Sequence, residues 1–186
     1  MKSIARKIIK ESFKILMIAI ILSTFGGIGL RSIEESLYTI VPLIILIPAL
    51  NNLIGSFGTT TTSKLTTMLY LGKIKEHWWK EKEVWSLGLK LLSIAFVSSV
   101  LVGLLSMLIS FMQGYAFNNA LLIRVVGIST VIGVSLVSVI FFVSVVGSIY
   151  IFKKKEDPDN FLVPITTAIG DLGSMLLFAL LVALLF

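Results

Sequence analysis

Five long stretches with almost no charged residues constrain the fold of this chain more than any other feature. They run over residues 15–30, 36–63, 91–123, 125–152 and 160–186, and only the last contains a charged residue, Asp171. A helix needs about 20 apolar residues to cross a bilayer core, and each stretch is roughly long enough to do so. With 56% hydrophobic and 14% charged residues, the chain has too few polar side chains to cover a soluble domain. The sequence therefore predicts an all-α, multi-pass membrane protein with five transmembrane helices.

The basic residues lie almost entirely on one side of this five-span arrangement. Of the 16 Lys and Arg residues, only Arg31 and Arg124 fall on the other side. Cytoplasmic loops collect Lys and Arg, so we expect the N-terminus in the cytoplasm and Phe186 outside. The net charge of +6 then reflects topology rather than a nucleic-acid partner. We expect the cell membrane as the location, with lipid as the surrounding partner.

The N-terminal 14 residues are basic and precede the first span. Ile4, Ile8 and Ile15 fall on one helical face, which is typical of a short helix at the membrane interface, and a frayed basic flank is the alternative. We therefore expect residues 1–14 to be a cytoplasmic interfacial helix or flank, and residues 15–186 to be the membrane domain. A cleaved signal peptide is the alternative interpretation of the first 30 residues, and it leaves a multi-pass protein all the same.

The third and fourth spans are apolar helices that carry small residues at intervals. Gly103 and Ser106 lie in the third span, and Gly127 and Gly133 lie in the fourth. Small residues let helix backbones approach closely in lipid, where no hydrophobic effect drives helices together. We interpret these positions as packing sites rather than as binding sites.

The second span has an unusually polar second half. From Pro48 to Thr67 it reads PALNNLIGSFGTTTTSKLTT. Prolines and glycines free backbone carbonyls, and carbonyl, Asn and Thr oxygens suit Mg²⁺ or its hydration shell. The alternative is that the Ser and Thr hydroxyls bond to their own helix and that Asn links helices. The candidate metal-site residues on this span are Asn52, Gly55, Ser56 and Thr59.

The fifth span has one polar face centred on Asp171. Its members recur at alternating steps of four and three residues: Asn160, Pro164, Thr167, Asp171 and Ser174. A carboxylate at mid-membrane costs about 3 kcal/mol on insertion scales, so it needs a partner or a water-filled cavity. No Lys or Arg lies deep in a span, which makes a cation from solution the natural counter-charge. The alternative is a protonated Asp171 that hydrogen-bonds between helices.

Two further acids precede the fifth span. Asp157 and Asp159 flank Pro158, and Asp159 or Asn160 is suited to cap the helix. Capping accounts for one polar residue, so we expect Asp157, Asp159 and Asn160 together to form an electronegative inner mouth. The sequence has no paired intramembrane carboxylates and no nucleophile beside a base, so we expect no enzyme activity.

Two of these segments resemble the MgtE-type magnesium channels and transporters, closest in motif to the archaeal and eukaryotic solute-carrier branch. PALNNLIGSFGTTTTSKLTT, followed by LGKI, is similar to the family's second-helix motif. DPDNFLVPITTAIGDLG is similar to its final-helix signature. The resemblance implies that Asp171 holds hydrated Mg²⁺ in a pore, with oxygens from Thr167 and the region around Gly55 nearby. This chain has Ser56 where the family usually has Asn. The resemblance therefore implies ion permeation more directly than selectivity for one ion.

The resemblance also implies a homodimer with its pore on the two-fold axis, lined by the second and fifth spans, including Pro164 and Ser174. A heterodimer with a paralogue is the alternative. One chain supplies one Asp171, and a two-fold axis would bring two carboxylates to one level. The expected function is translocation of divalent cations, with Mg²⁺ as the transported ion. The alternatives are a sodium- or proton-coupled exchanger and a non-conducting subunit that scaffolds a partner.

Overall fold

The computed structural model describes residues 2–74 and 77–186, with side chains described for residues 13–74 and 77–186. The described residues form six α-helices and one 3₁₀ helix, Trp78–Lys80, which lies between the third and fourth α-helices. The α-helices are α1 (Lys2–Arg31), α2 (Glu34–Thr39), α3 (Val41–Tyr70), α4 (Lys82–Met112), α5 (Asn119–Lys153) and α6 (Pro158–Leu185). All except α2 are long and apolar enough to cross a membrane, α1 from Phe13 onward. The predicted all-α fold with five spans is confirmed.

Several predicted span boundaries were wrong. The second span begins at Val41 rather than at residue 36, because Pro42 starts a new helix after the short α2. The third span ends at Met112 rather than at residue 123, where Gly114 adopts a left-handed φ of 89°. The fourth starts at Asn119, capped by Asn118, whose side chain accepts a bond from Ala120 N at 2.9 Å. These turns contain no charged residues, so hydropathy alone does not detect them.

The first helix runs without a break from Lys2 to Arg31. The predicted division at residue 14 therefore coincides with no change of backbone conformation. The side chains before Phe13 are not among the described ones. The expected interfacial helix or flank at residues 1–14 therefore stays a prediction.

The fourth and fifth helices pack through their small residues. A Cβ added at Gly103 of α4 would lie 2.5 Å from Ser129 Oγ and 2.9 Å from Val126 Cα of α5. Ser99 of α4 contacts Gly133 of α5 in the same interface. The interpretation as packing sites is confirmed for Gly103 and Gly133, whereas it is wrong for Gly127, which is exposed and has no neighbour within 4 Å of an added Cβ.

The third helix packs against α4, α5 and α6. Its first half belongs to one apolar cluster through buried Leu43, Leu46 and Ile54, and its second half to another through Phe57 and Leu65. Thr62 lies between Phe57 and Leu65 of the second cluster, where its hydroxyl is 3.2 Å from that of Ser144 on α5. Apolar packing thus holds α3 in place on both sides of a polar contact.

The sixth helix lies between α1 and α3 and also contacts α5. The first helix packs mainly against α6, where a Cβ added at Gly26 would lie 2.8 Å from Met175 Sδ. On the other side, a Cβ added at Gly58 of α3 would lie 3.0 Å from Thr166 Oγ1. Close approach on both sides fixes which faces of α6 meet α1 and α3.

The loops after α3 and α5 carry aromatic and basic residues at one end of the bundle. Trp85 Nε1 donates to Trp79 O at 2.9 Å, which ties the 3₁₀ helix to the start of α4. In the other loop, a side-chain hydrogen bond with Tyr150 raises the pKa of the exposed Lys154, whose ammonium lies 4.3 Å from the Tyr150 ring centroid. This lysine therefore keeps its positive charge throughout the neutral range.

Candidate functional site

The start of α6 is capped by Asp157. Its carboxylate accepts a hydrogen bond from Asp159 N at 3.2 Å, and Pro158 occupies the first turn, where no N–H donor is needed. The expectation that Asp159 or Asn160 caps this helix is therefore wrong. Asp157 keeps an exposed side chain and Asn160 is half-buried, so both remain available to solvent at this end.

Asp159 joins α6 to α3. Thr66 Oγ1 donates to one carboxylate oxygen at 2.7 Å, and Ser63 Oγ donates to the other at 3.2 Å. Asp159 is half-buried and Thr66 is buried. The structure thus places Asp159 in an interhelical hydrogen-bond cluster, whereas the sequence predicted a helix cap or a charge at an open mouth.

Asp171 lies on the side of α6 that faces α1. Its Oδ2 accepts a hydrogen bond from Ser23 Oγ of α1 at 3.0 Å, and its side chain is half-buried. Beside it is a groove of about 630 Å³ between the two helices. The groove is lined by Leu16, Ala19, Ile20, Ser23, Thr24, Val163, Pro164, Thr167, Ala168 and Asp171. Of the predicted polar face of α6, the structure brings Pro164, Thr167 and Asp171 together here.

Ser174 points to a different neighbour. It is buried, with 2% of its surface exposed, and its hydroxyl contacts Asn51 Oδ1 of α3 and lies 2.9 Å from the Asp171 carbonyl oxygen. The expectation that Ser174 lines a pore is therefore not met within this chain. Its place is behind Asp171, where it links the site to α3.

Thr167 lies where the groove meets α3. A Cβ added at Gly55 would lie 3.7 Å from Thr167 Cγ2, so the two predicted metal-site residues are neighbours. Thr167 Oγ1 donates to Val163 O of its own helix at 2.9 Å, which leaves the lone pairs of the hydroxyl oxygen as acceptors. At 3.7 Å an added Cβ would be in ordinary van der Waals contact with Thr167, so the approach of α3 to α6 at this level does not require glycine.

Asn52, Ser56 and Thr59 lie on an exposed face of α3, which remains helical through Pro48. Ser56 Oγ donates to Asn52 O at 2.8 Å, and Thr59 Oγ1 donates to Gly55 O at 3.1 Å. The alternative of hydroxyls bonded to their own helix therefore describes these two side chains. Asn52, Ser56 and Thr59 are four and three positions apart, so they still form a polar stripe on an exposed surface of a membrane span.

Two polar residues of the groove were not predicted from the sequence. Ser23 and Thr24 belong to the first span, which was predicted only to cross the membrane. Their signal was a pair of adjacent hydroxyls inside an otherwise apolar run from residue 15 to residue 25. Nothing local to that run indicates that it meets Asp171, 148 positions later in the chain.

The fold and the site define a multi-pass helical membrane protein with a carboxylate and three hydroxyl groups beside a groove within its spans, an arrangement typical of ion pathways. The model of the MgtE family, described as a divalent cation transporter, matches residues 47–181. The chain belongs to this family, as the two motifs predicted. The family consists of transporters rather than enzymes, in agreement with the sequence.

Curated relatives share the similarity over most of the chain. Solute carrier family 41 member 2 of Gallus gallus is 29% identical over 94% of this chain and 32% of its own length. The Homo sapiens protein is 29% identical over 93% and 32%, and the Xenopus laevis protein is 31% identical over 74% and 24%. The chain thus spans about a third of the length of the first of these relatives. No solved structure matches it.

Proposed function

We propose that this chain translocates divalent cations, Mg²⁺ foremost, along a polar pathway beside α6. The observation that carries the proposal is the half-buried Asp171 carboxylate, which lies within a membrane span and faces a groove of about 630 Å³. Among the described side chains its hydrogen-bond donor is the neutral Ser23 hydroxyl. A carboxylate in this position costs about 3 kcal/mol to insert, and a passing cation offsets that cost.

Hydrated Mg²⁺ suits such a site. Within the described part of the chain, no three His, Cys, Asp or Glu side chains form a cluster that could hold a metal directly. Mg²⁺ dehydrates reluctantly and usually keeps several of its six waters, so one carboxylate acting through water is sufficient. Six waters at about 30 Å³ each occupy roughly 180 Å³, well below the volume of the groove. Thr167 and the region around Gly55 supply further oxygens.

A dimer completes the pathway in this proposal. Asn52, Ser56 and Thr59 form an exposed polar stripe on α3, and polar surface at membrane depth needs water or protein beside it. A second copy related by a two-fold axis, with α3 and α6 nearest that axis, would provide both. It would also bring a second Asp171 to the same level. We propose a homodimer, with a heterodimer with a paralogue as the alternative.

We also propose an orientation in the membrane, an inner mouth and a driving force for this pathway. Residues 15–186 are the membrane domain and residues 1–14 its interfacial flank, with the N-terminus in the cytoplasm and Phe186 outside. Asp157 and Asn160 lie at the inner mouth, and Pro164 lines the pathway further in. A potential of 100 mV contributes about 2.3 kcal/mol per charge, hence roughly 4.6 kcal/mol for a divalent cation, so uptake needs no other energy source.

The test is Mg²⁺ flux into liposomes that contain the purified chain, with and without an imposed potential. We expect flux above that of protein-free liposomes, and we expect an inside-negative potential to increase it. A requirement for a sodium or proton gradient would identify an exchanger instead. No protein-dependent flux under any of these gradients would contradict the proposal.

A further inference from the structure

We infer that the first helix contributes to the cation site, with Ser23 acting as a positioning residue for Asp171. The inference rests on the proposed function and extends it to α1, which the sequence indicated only as a membrane span. Ser23 is half-buried, and its hydroxyl donates to Asp171 Oδ2 at 3.0 Å across the interface between α1 and α6. Both residues line the same groove.

Backbone packing fixes the register of this contact. Gly26 and Gly29 follow Ser23 by three and six residues and lie against the same helix. An added Cβ would lie 2.8 Å from Met175 Sδ at Gly26 and 3.0 Å from Leu176 Cδ2 at Gly29. At Gly26 the added Cβ would also lie 3.3 Å from the Leu172 Cα, so the two helix backbones are close here, and this packing favours the register that places Ser23 at the level of Asp171.

The chemistry of the pair suits a hydrated ion. A carboxylate has two oxygens with about four lone-pair sites, and Ser23 occupies one of them on Oδ2. The other sites, including those of Oδ1, can accept hydrogen bonds from the waters around a cation. The Ser23 oxygen can itself accept from one such water, since a hydroxyl has two lone pairs. Ser23 therefore holds the carboxylate in one orientation and leaves it able to receive the ion.

The adjacent Thr24 provides a matched control. It lines the same groove, but its hydroxyl donates to Ile20 O of its own helix at 2.8 Å rather than to Asp171. Thr24→Val keeps the shape of this side chain and removes its hydroxyl. If ion binding weakens more for a change at position 23 than for one at position 24, the cause is the positioning of Asp171. Similar effects at both positions would indicate that only the hydroxyl groups of the groove matter.

The experiment compares Ser23→Ala, Ser23→Thr, Ser23→Val and Thr24→Val with the parent in the full chain. Two quantities are measured: the half-saturating Mg²⁺ concentration for liposome flux, and the upward shift in melting temperature that Mg²⁺ causes in detergent. We expect Ser23→Ala to raise the half-saturating concentration about three- to ten-fold and to reduce the thermal shift, because a hydrogen bond to a charged group is lost. Ser23→Thr should stay within about two-fold of the parent, and Thr24→Val should change both quantities less than Ser23→Val does.

Thr and Val have nearly the same shape, so the difference between Ser23→Thr and Ser23→Val isolates the hydroxyl even if Ser23→Ala folds poorly. Equal half-saturation and equal thermal shifts for these two variants would overturn the role of Ser23, while Mg²⁺ flux by the parent would leave the proposed function standing. A parent that conducts no Mg²⁺, but whose Mg²⁺-dependent thermal shift is lost in Ser23→Val, would support the site and contradict the transport function. A parent with neither response would overturn both.

Discussion

The two acidic side chains within α6 have different surroundings. Asp159 accepts hydrogen bonds from two α3 hydroxyls, whereas Asp171 accepts one from α1 and faces a groove. The first carboxylate is therefore largely satisfied within the protein, and the second keeps acceptor capacity for an ion. We therefore expect replacement of Asp171 to reduce transport and replacement of Asp159 to reduce stability.

Replacing Asp171 by Asn should reduce Mg²⁺ flux at least ten-fold, since each lost 1.4 kcal/mol of site stabilisation corresponds to about a factor of ten. The Asn oxygen can still accept from Ser23, so we expect the folded state to be retained. The measurement is liposome flux at equal protein incorporation. Asp157→Asn is the control, because it keeps the helix cap and removes only an exposed charge that water and salt screen. Flux that survives Asp171→Asn but not Asp157→Asn would refute the assignment of Asp171.

Replacing Asp159 by Ala should lower the free energy of unfolding by about 1–3 kcal/mol, because buried Thr66 loses the acceptor of its bond to α6. The measurement is denaturant or thermal unfolding in detergent. In a double-mutant cycle with Thr66→Val, the two changes should be less than additive. Additive effects would show that the two side chains do not interact in solution.

At the scale of elements, α3 combines poor helix formers with an unbroken helix. Pro48 lies inside it, and Thr59 to Thr62 follow one another in its polar half. The helix survives because Leu46 and Ile54 pack into one apolar cluster and Leu65 packs into another. In lipid, a helix also satisfies backbone groups that an irregular segment would leave without partners. Tertiary packing and the bilayer together override local propensity.

The interface between α4 and α5 can be tested with a pair of glycines. A Cβ at Gly103 would lie 2.9 Å from the Val126 Cα, whereas one at Gly127 would meet nothing within 4 Å. We therefore expect Gly103→Ala to destabilise the fold by about 1–3 kcal/mol through overpacking. Gly127→Ala should be neutral or stabilising by up to about 1 kcal/mol, because Ala favours the helix. Melting temperatures in detergent compare the two variants, and equal values would contradict the close approach.

At the scale of the whole molecule, the orientation in the membrane follows from the basic residues. A single Cys at Ala116, in the loop between α4 and α5, should react with an impermeant thiol reagent added outside the cell. One at Lys154, in the loop between α5 and α6, should react only from inside, since the chain has no Cys of its own. The reversed labelling pattern would overturn the orientation and the assignment of the inner mouth.

The dimer can be tested by disulfide crosslinking within membranes. A Cys at exposed Ser56 of α3 should crosslink to its symmetry mate more readily than one at Val131 of α5, which is 51% exposed. Ser174 is unsuitable, although it is on the predicted polar face, because it is only 2% exposed. Stronger crosslinking at Val131 would place the axis elsewhere. A purified monomer that conducts divalent cations would show that no dimer is needed.

Hydropathy and helical period are local properties, so the sequence alone determined the five spans and the shared face of Asn160, Thr167 and Asp171, and the resemblance of its two motifs indicated the family. Which neighbour each side chain meets depends on helices that are far apart in the chain, and only the tertiary structure decided this. The side chain of Ser174 contacts Asn51 of α3, and that of Asp171 accepts a hydrogen bond from Ser23 of α1, which is 148 positions earlier in the chain. The physical reason is steric, since the glycines of α1 and α3 let those helices approach α6 on its two sides.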